Sequence, residues 1–422
     1  MSAPHLDPFP HLHVRPPRGW VNDPNGIVAV DGTWHVFYQY NPKAPVHGNI
    51  GWGHATSTDL VTWHDEPVAL RPRPGTIDAG GVWSGVATVE DGQPVLVYTA
   101  VPGSAEEAGI ALARPHGDGW TQAEDFVAPV PPGLRQMRDP FVITIAEHRY
   151  GLVGGGYPDG TPVVLVYDAE DLDHWELLGE LLTGDRVPSD LRELTRAQIW
   201  ECPQLLRLPG TDGERAWALI LSRWHDEPGT SQLDGVVVLF GDIDPADGRP
   251  QFVPRTGQFL DDGPDFYAPQ GVEYEDRALL WGWTWETRPT DEIEEAGWAG
   301  ALTFPRELVL HQGVLHCGPV PELTALRRRP LTVSDPLELD LPAWEVVSGG
   351  TDVRVCLTGP SGEREIWSAT GARAIRVLVD GSVLEAFVDG RASTVRAYPA
   401  PGERWQVQAS GAVDAWELGL PS

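Results

Sequence analysis

Three carboxylates stand in marked surroundings. Asp23 lies in WVNDPNG (20–26), Asp139 in MRDPF (137–141) and Glu201 in WECPQ (200–204). Each acid is next to a proline or one residue from it, and proline fixes φ and removes a backbone donor. Asn-Asp-Pro-Asn-Gly is also a turn composition in its own right, and an isolated Asp in a turn is structural more often than catalytic. Singly, each motif is weak. As a set, they are three acids that a suitable fold could gather into one pocket, although the chain separates them widely.

The elements that would have to do this are strands. Long amphipathic helical patterns are scarce, and short apolar or alternating runs recur between Gly, Pro, Asp and Asn. Examples are TWHVFYQYN (33–41), PVLVYTA (94–100), PVVLVYDA (162–169), AWALILSRW (216–224) and ALLWGWTW (278–285). In the first, Trp34, Val36, Tyr38 and Tyr40 share one face, and His35, Phe37, Gln39 and Asn41 the other, the period of a strand. Many short strands with frequent turn signals predict an all-β chain. STDLVTW (57–63) and AEDLDHW (169–175) both carry Asp-Leu-x-x-Trp after a strand-like run. Repeated four-stranded units suggest a propeller, whose blade-entry segments point into a central channel. That channel is where distant acids would meet.

A boundary is expected near residues 310–335. PELTALRRRP (321–330) is helix-like and ends at Pro330. IRVLVDGSVLEAFVDG (375–390) then reads as strand, Asp-Gly turn, strand, Asp-Gly turn. The expected division is a first domain over 1–312, a linker over 313–335 and a small β-sandwich over 336–422. The acidic EIEEAG (292–297) is expected to be a solvated loop.

Composition excludes several partners. The chain has 422 residues and a formal net charge of −31. A phosphate backbone requires a basic footprint that is absent here, so no nucleic acid is expected. An anionic membrane surface is excluded on the same ground, and no run of 18 apolar residues exists. Basic residues are nearly all Arg, with Lys43 the single lysine. Cys202, Cys317 and Cys356 form neither a disulfide framework nor a metal-finger spacing. No metal site and no nucleotide fingerprint is indicated, so no cofactor is expected. The N-terminus lacks the apolar segment of a secretory signal, and a cytoplasmic location is expected. Oligomeric state stays open. The 18 Trp residues suit both a β core and stacking on sugar rings.

The acids and their contexts, in this order, resemble glycoside hydrolase family 32, the invertases, sucrose-6-phosphate hydrolases, levanases, inulinases and related fructosidases. WVNDPNG resembles the family's opening signature. FYQYNP (37–42), GWGHATSTDLVTW (51–63), WSG (83–85), MRDP (137–140), WECP (200–203), DFYAPQ (265–270), WGWTW (281–285) and GWAGALTFPREL (297–308) follow in the family's order. VLVDGSVLEAFVDG (377–390) is similar to the signature of its C-terminal sandwich, with Gly381 where Arg is usual. The resemblance implies a five-bladed β-propeller followed by a β-sandwich. It implies Asp23 as nucleophile, Glu201 as general acid/base and Asp139 as the acid that binds fructosyl hydroxyls and stabilises the transition state. It also places Trp20, Asn22, Gln39, Trp52, Trp83, Ser84, Arg138, Asp265 and Trp283 in motifs that line the sugar pocket.

Cleaving a glycosidic bond requires protonation of the leaving oxygen and stabilisation of an oxocarbenium-like centre, which two carboxyl groups can do together. Asp23 must be ionised, helped by backbone N–H groups and the Asn22 side chain. Glu201 must hold a proton, in the weakly polar company of Trp200 and Cys202. Arg138 is the expected partner of Asp139. The implied activity is a retaining β-fructofuranosidase with sucrose as first-choice substrate. Sucrose 6-phosphate would need a local basic patch, for which the loop with Lys43 and His47 is the candidate. A fructan hydrolase or transfructosylase shares the same machinery. A non-catalytic sugar-binding propeller or a protein-interaction propeller is disfavoured by the presence of all three acids.

Overall fold

A computed structural model describes residues 6–211, 213–226, 232–245 and 248–421. It is all-β, with short helical segments only at connections. The run expected to be a strand at 33–41 forms the strand Thr33–Asn41. Its expected faces are correct, and both are buried: Trp34, Val36, Tyr38 and Tyr40 join the main core, and Phe37 joins a second cluster with Trp52. A strand buried on both sides belongs to a sheet packed between two others.

The described residues of 19–319 form five consecutive sheets, each a meander that starts with a long strand. These starting strands are Gly19–Val30, Gly81–Glu90, Gln136–Ile145, Ile199–Pro209 and Phe266–Tyr274. Each starting strand packs against those of the two neighbouring sheets, and the fifth returns to the first, so the five touch in a cycle. Late residues close the first sheet as well, because Trp298–Ala299 pairs in parallel with Gly19 and Trp20. The two Asp-Leu-x-x-Trp segments occupy corresponding places. Each links the third and fourth strands of its meander, in the first and third sheets.

Two sequence readings are corrected. PELTALRRRP is not one helical piece: a 3-10 turn covers Pro321–Leu326, and Arg327–Pro330 is a strand paired with Val413–Leu418. Pro330 therefore sits in an edge strand, where a missing donor costs little. EIEEAG is the end of a helix, Thr290–Ala296, which buries Ile293 and stops at Gly297 in the left-handed region.

The last part of the chain forms a six-stranded and a four-stranded sheet. Their shared core includes Trp344 and Trp405, edge to face at 5.8 Å. The six-stranded sheet turns its other face to the first five sheets, where Leu378, Phe387 and Ala392 join the main core. Buried charge stitches the same junction. Arg306, fully buried, bonds Glu385 Oε2 at 2.5 Å and Asp261 Oδ2 at 2.6 Å. His13 lies between Asp380 Oδ2 at 2.8 Å and Glu385 Oε1 at 3.2 Å. Gly381 faces the N-terminal segment here. Its φ is 57°, and a Cβ would stand 2.5 Å from the Phe9 carbonyl oxygen, so this position requires glycine.

Candidate active site

All five starting strands are broken at the same place. Each carries a register shift against its neighbour: between Val21 and Pro24, Trp83 and Gly85, Arg138 and Pro140, Glu201 and Gln204, and Tyr267 and Gln270. A bulge adds a residue, bends the strand and re-aims side chains. The inserted positions are held by Asp23, Ser84, Asp139, Cys202 and Ala268. Of these, Asp139, Cys202 and Ala268 have φ of 61°, 47° and 44°, a costly conformation that persists where the surroundings impose it. The residues just before them are Asn22, Trp83, Arg138, Glu201 and Tyr267. All five border one cavity of about 580 Å³.

The strand carrying Glu201 lies close against its neighbour. A Cβ at Gly154 would stand 2.2 Å from the Trp200 carbonyl oxygen, so glycine there lets the third sheet approach the acid's own backbone. Below the cavity the channel narrows to about 10 Å³, bordered by Pro24, Asn25, Gln204 and Gln270 among others. Polar side chains tie the sheets together at this depth. Asn25 Oδ1 accepts from Gly85 N at 3.0 Å, and Gln270 accepts from Ile27 N at 2.7 Å while donating to the Gly85 carbonyl at 2.6 Å. The cavity is a dead end.

Asp23 accepts, at Oδ2, from Ser84 Oγ at 2.5 Å and from Gln39 Nε2 at 3.0 Å. Gln39 and Ser84 also touch each other. Among the described residues these side chains and the Cys202 thiol, rather than backbone N–H groups or Asn22, are the donors to Asp23. Asn22 Oδ1 is buried without a partner among the described residues. Burial, then repulsion from Asp139 and Glu201, pushes the Asp23 pKa up to about 8, against the pull of the Ser84 hydroxyl. Asp139 is raised to about 6 by burial and by Glu201. Its Oδ2 accepts from Cys202 N at 3.0 Å, and its own N–H donates to Thr99 Oγ1 at 2.8 Å. The Cys202 sulfur lies 3.6 Å from Asp139 Oδ2 and 3.8 Å from Asp23 Oδ2. Burial and the surrounding carboxylates raise the Cys202 pKa well above its usual value, so it stays a thiol between the two acids.

Glu201 is held at both oxygens. Arg138 Nε donates to Oε1 at 2.8 Å and the Tyr267 hydroxyl to Oε2 at 2.8 Å. Arg138 thus bonds Glu201, not Asp139 as expected. Its Nη1 donates to Gln136 Oε1 at 2.7 Å, and its guanidinium faces Trp224 at 5.2 Å. Trp200, expected to soften the surroundings of Glu201, is fully buried and donates its indole N–H to the Thr195 carbonyl.

Of the expected pocket residues, Trp20, Asn22, Gln39, Trp83, Arg138 and Trp283 border the cavity with the three acids. Ser84 reaches it through Asp23. Two do not belong. Trp52 is fully buried in the core and donates to the Trp83 carbonyl at 3.0 Å, supporting Trp83 from behind. Asp265 accepts from Trp285 Nε1 at 2.9 Å and from Arg396 N at 2.7 Å, which makes it a fastener to the C-terminal sheets. Sequence reading missed Tyr267, Trp224, Gln136, Glu106, Arg135 and Asp226. For Tyr267 a signal existed: YAPQ repeats the Pro-Gln of ECPQ, which puts Tyr267 where Glu201 stands one sheet earlier.

Carboxylates and tryptophans gathered on one cavity of an all-β scaffold are what a glycoside hydrolase requires. The family model for the glycosyl hydrolases family 32 N-terminal domain matches residues 13–319, and the chain belongs to that family. It is 30% identical to a sucrose-6-phosphate hydrolase of Escherichia coli, over 94% of this chain and 90% of that protein. It is 29% identical to a raffinose invertase of Escherichia coli, with the same coverage of 94% and 90%. The structure superposes on a GH32 beta-fructofuranosidase of Bombyx mori, solved as a mutant in complex with sucrose. The TM-score is 0.81, with 27% identity over 99% of this chain and 96% of that one. Among the described residues, no helix is long and apolar enough to cross a membrane.

Proposed function

We propose that the chain is a retaining β-fructofuranosidase that releases the terminal β-D-fructofuranosyl group of sucrose. The observation that carries this reading is the convergence of Asp23, Asp139 and Glu201 on one cavity, with Cys202 touching both aspartates. Asp23 is the nucleophile. Its carboxylate bonds the anomeric carbon while Glu201 gives its proton to the glycosidic oxygen, and glucose leaves. Glu201 then takes a proton from water, whose oxygen attacks the same carbon and frees Asp23 with the configuration retained. Asp139 accepts hydrogen bonds from fructosyl hydroxyls, which strengthen as the ring becomes positive. The unpartnered Asn22 Oδ1 and the Trp83 ring suit a sugar, and the dead-end cavity suits a chain terminus.

The five sheets over 19–319 are read as the blades of a propeller and the sheets that begin at the strand Arg327–Pro330 as a β-sandwich, so the linker expected over 313–335 shortens to the turn between them. Support comes from the cycle of starting strands and from the fold shared with family 32 structures. The test is release of glucose and fructose from sucrose by the wild type beside Asp23→Ala, with proton NMR of the first fructose formed. Release by the wild type alone, as the β-anomer, is expected. An initial α-anomer, or full activity in Asp23→Ala, would overturn the assignment.

A further inference from the structure

The side of the cavity that faces Glu201 has a charge pattern of its own. From Glu201 a hydrogen-bonded chain runs outward: Arg138 donates to Gln136 Oε1 at 2.7 Å, and Gln136 Nε2 donates to Glu106 Oε1 at 2.9 Å. Glu106 is exposed at the rim. A backbone hydrogen bond, then the Ser104 side chain, hold its carboxyl below the usual range, so it is charged at neutral pH. Beside it, Arg135 is ion-paired with the exposed Asp226. Because the general acid protonates the departing oxygen, this is the side from which the leaving sugar exits.

Five carboxylates and two arginines border the cavity. Both arginines are already engaged with carboxylates, Arg138 with Glu201 and Arg135 with Asp226. Lys43 does not border the cavity and donates to Asn49 Oδ1 at 3.1 Å. His47 does border it. The residue keeps solvent access, yet the protein around its ring lowers its pKa from the ordinary value, so it adds no charge at neutral pH.

A phosphate ester carries about −1.5 to −2 charge at pH 7, and its recognition uses unpaired Arg or Lys donors. This rim offers the opposite. We infer that Glu106 and Asp226 act as a charge filter on the leaving group, admitting neutral sugars and rejecting phosphorylated ones. The inference rests on the β-fructofuranosidase reading and narrows it. Specificity here comes from an element that repels the wrong substrate.

The test compares kcat/KM for sucrose and for sucrose 6-phosphate in the wild type, in Asp226→Asn, in Glu106→Gln/Asp226→Asn, and in Arg135→Gln/Asp226→Asn. The wild type should favour sucrose by about 100-fold or more at low salt, and the gap should shrink at about 0.5 M salt as screening shortens the reach of the rim charges. Asp226→Asn removes one repulsive charge and frees Arg135, so it should narrow the gap by about tenfold. Adding Glu106→Gln should narrow it further, and adding Arg135→Gln should restore most of it. Equal or better use of sucrose 6-phosphate by the wild type would overturn the filter while leaving the enzymatic reading intact. So would a sucrose preference that neither salt nor these variants move. Cleavage of neither compound would overturn the parent reading and this inference with it.

Discussion

Tyr267 donates its hydroxyl to Glu201 Oε2 at 2.8 Å, from the sheet next to the one that carries the acid. With Arg138 on the other oxygen, the carboxyl is held in one plane. Tyr267→Phe removes one of the two holds. A kcat loss of about 10- to 100-fold is expected for sucrose, and a smaller loss for an aryl fructoside whose leaving group needs little protonation. Equal losses on the two substrates would show that Tyr267 does not act through Glu201.

Ser84 stabilises the Asp23 anion through a 2.5 Å bond. The nucleophile must be ionised, so a pKa raised to about 8 puts the acid limb of kcat/KM at unusually high pH. Ser84→Ala removes a donor to the anion, and the limb should move up by about one further unit. A limb that stays in place or moves down would contradict the assignment of that limb to Asp23.

The same shift has a stability sign. Asp23 binds its proton more tightly folded than unfolded, so its contribution falls as pH rises from the ordinary Asp range through about 8. Asp23→Asn should therefore raise the Tm at pH 8 and leave it nearly unchanged at pH 4, as read by calorimetry. A loss of Tm at both pH values would refute the strain.

His13 has the same sign of dependence, for a different reason. Burial lowers its pKa, but the hydrogen bonds and charges of Asp380 and Glu385 outweigh this, and the net shift is upward. Its stabilisation is complete below the ordinary His pKa and is lost as pH rises through the folded value. The destabilisation caused by His13→Gln, measured by urea unfolding, should be largest below the ordinary His pKa and shrink as pH rises above it.

Arg306 compensates two buried carboxylates across the junction, Asp261 on the first unit and Glu385 on the second. Arg306→Met strips the guanidinium from both and leaves Glu385 only His13 as a cationic partner, at a cost of about 3–5 kcal/mol. The expected calorimetric outcome is a lower Tm and a transition that splits in two. A single transition with unchanged Tm would mean that the apolar part of the junction suffices.

The strands were legible because period-two runs such as 33–41 and 162–169 carry their own signal. The acids were legible because an Asp or Glu beside proline in three ordered motifs resembles one family. What stayed hidden depended on contacts between distant strands. Nothing local in DFYAPQ says that Asp265 turns to Arg396 while Tyr267 turns to Glu201. Nothing in RDP says that Arg138 reaches over its neighbour Asp139 to an acid in the next sheet. Trp52 has the composition of a stacking residue, and only its 0% exposure shows it supporting Trp83 instead. EIEEAG looked like loop because its acidic face dominates, although Ile293 anchors it as a helix.

The five bulges have one further consequence. They make five interchangeable seats, and the chemistry lies in who sits in each. Four inner seats hold Asp23, Ser84, Asp139 and Cys202, each with a polar or sulfur atom; the fifth holds Ala268, a methyl group. A near-symmetric ring with one blank seat has a direction. A designer who wished to add a group to this floor would find its backbone slot already built at position 268, needing only a side chain that tolerates a φ of 44°.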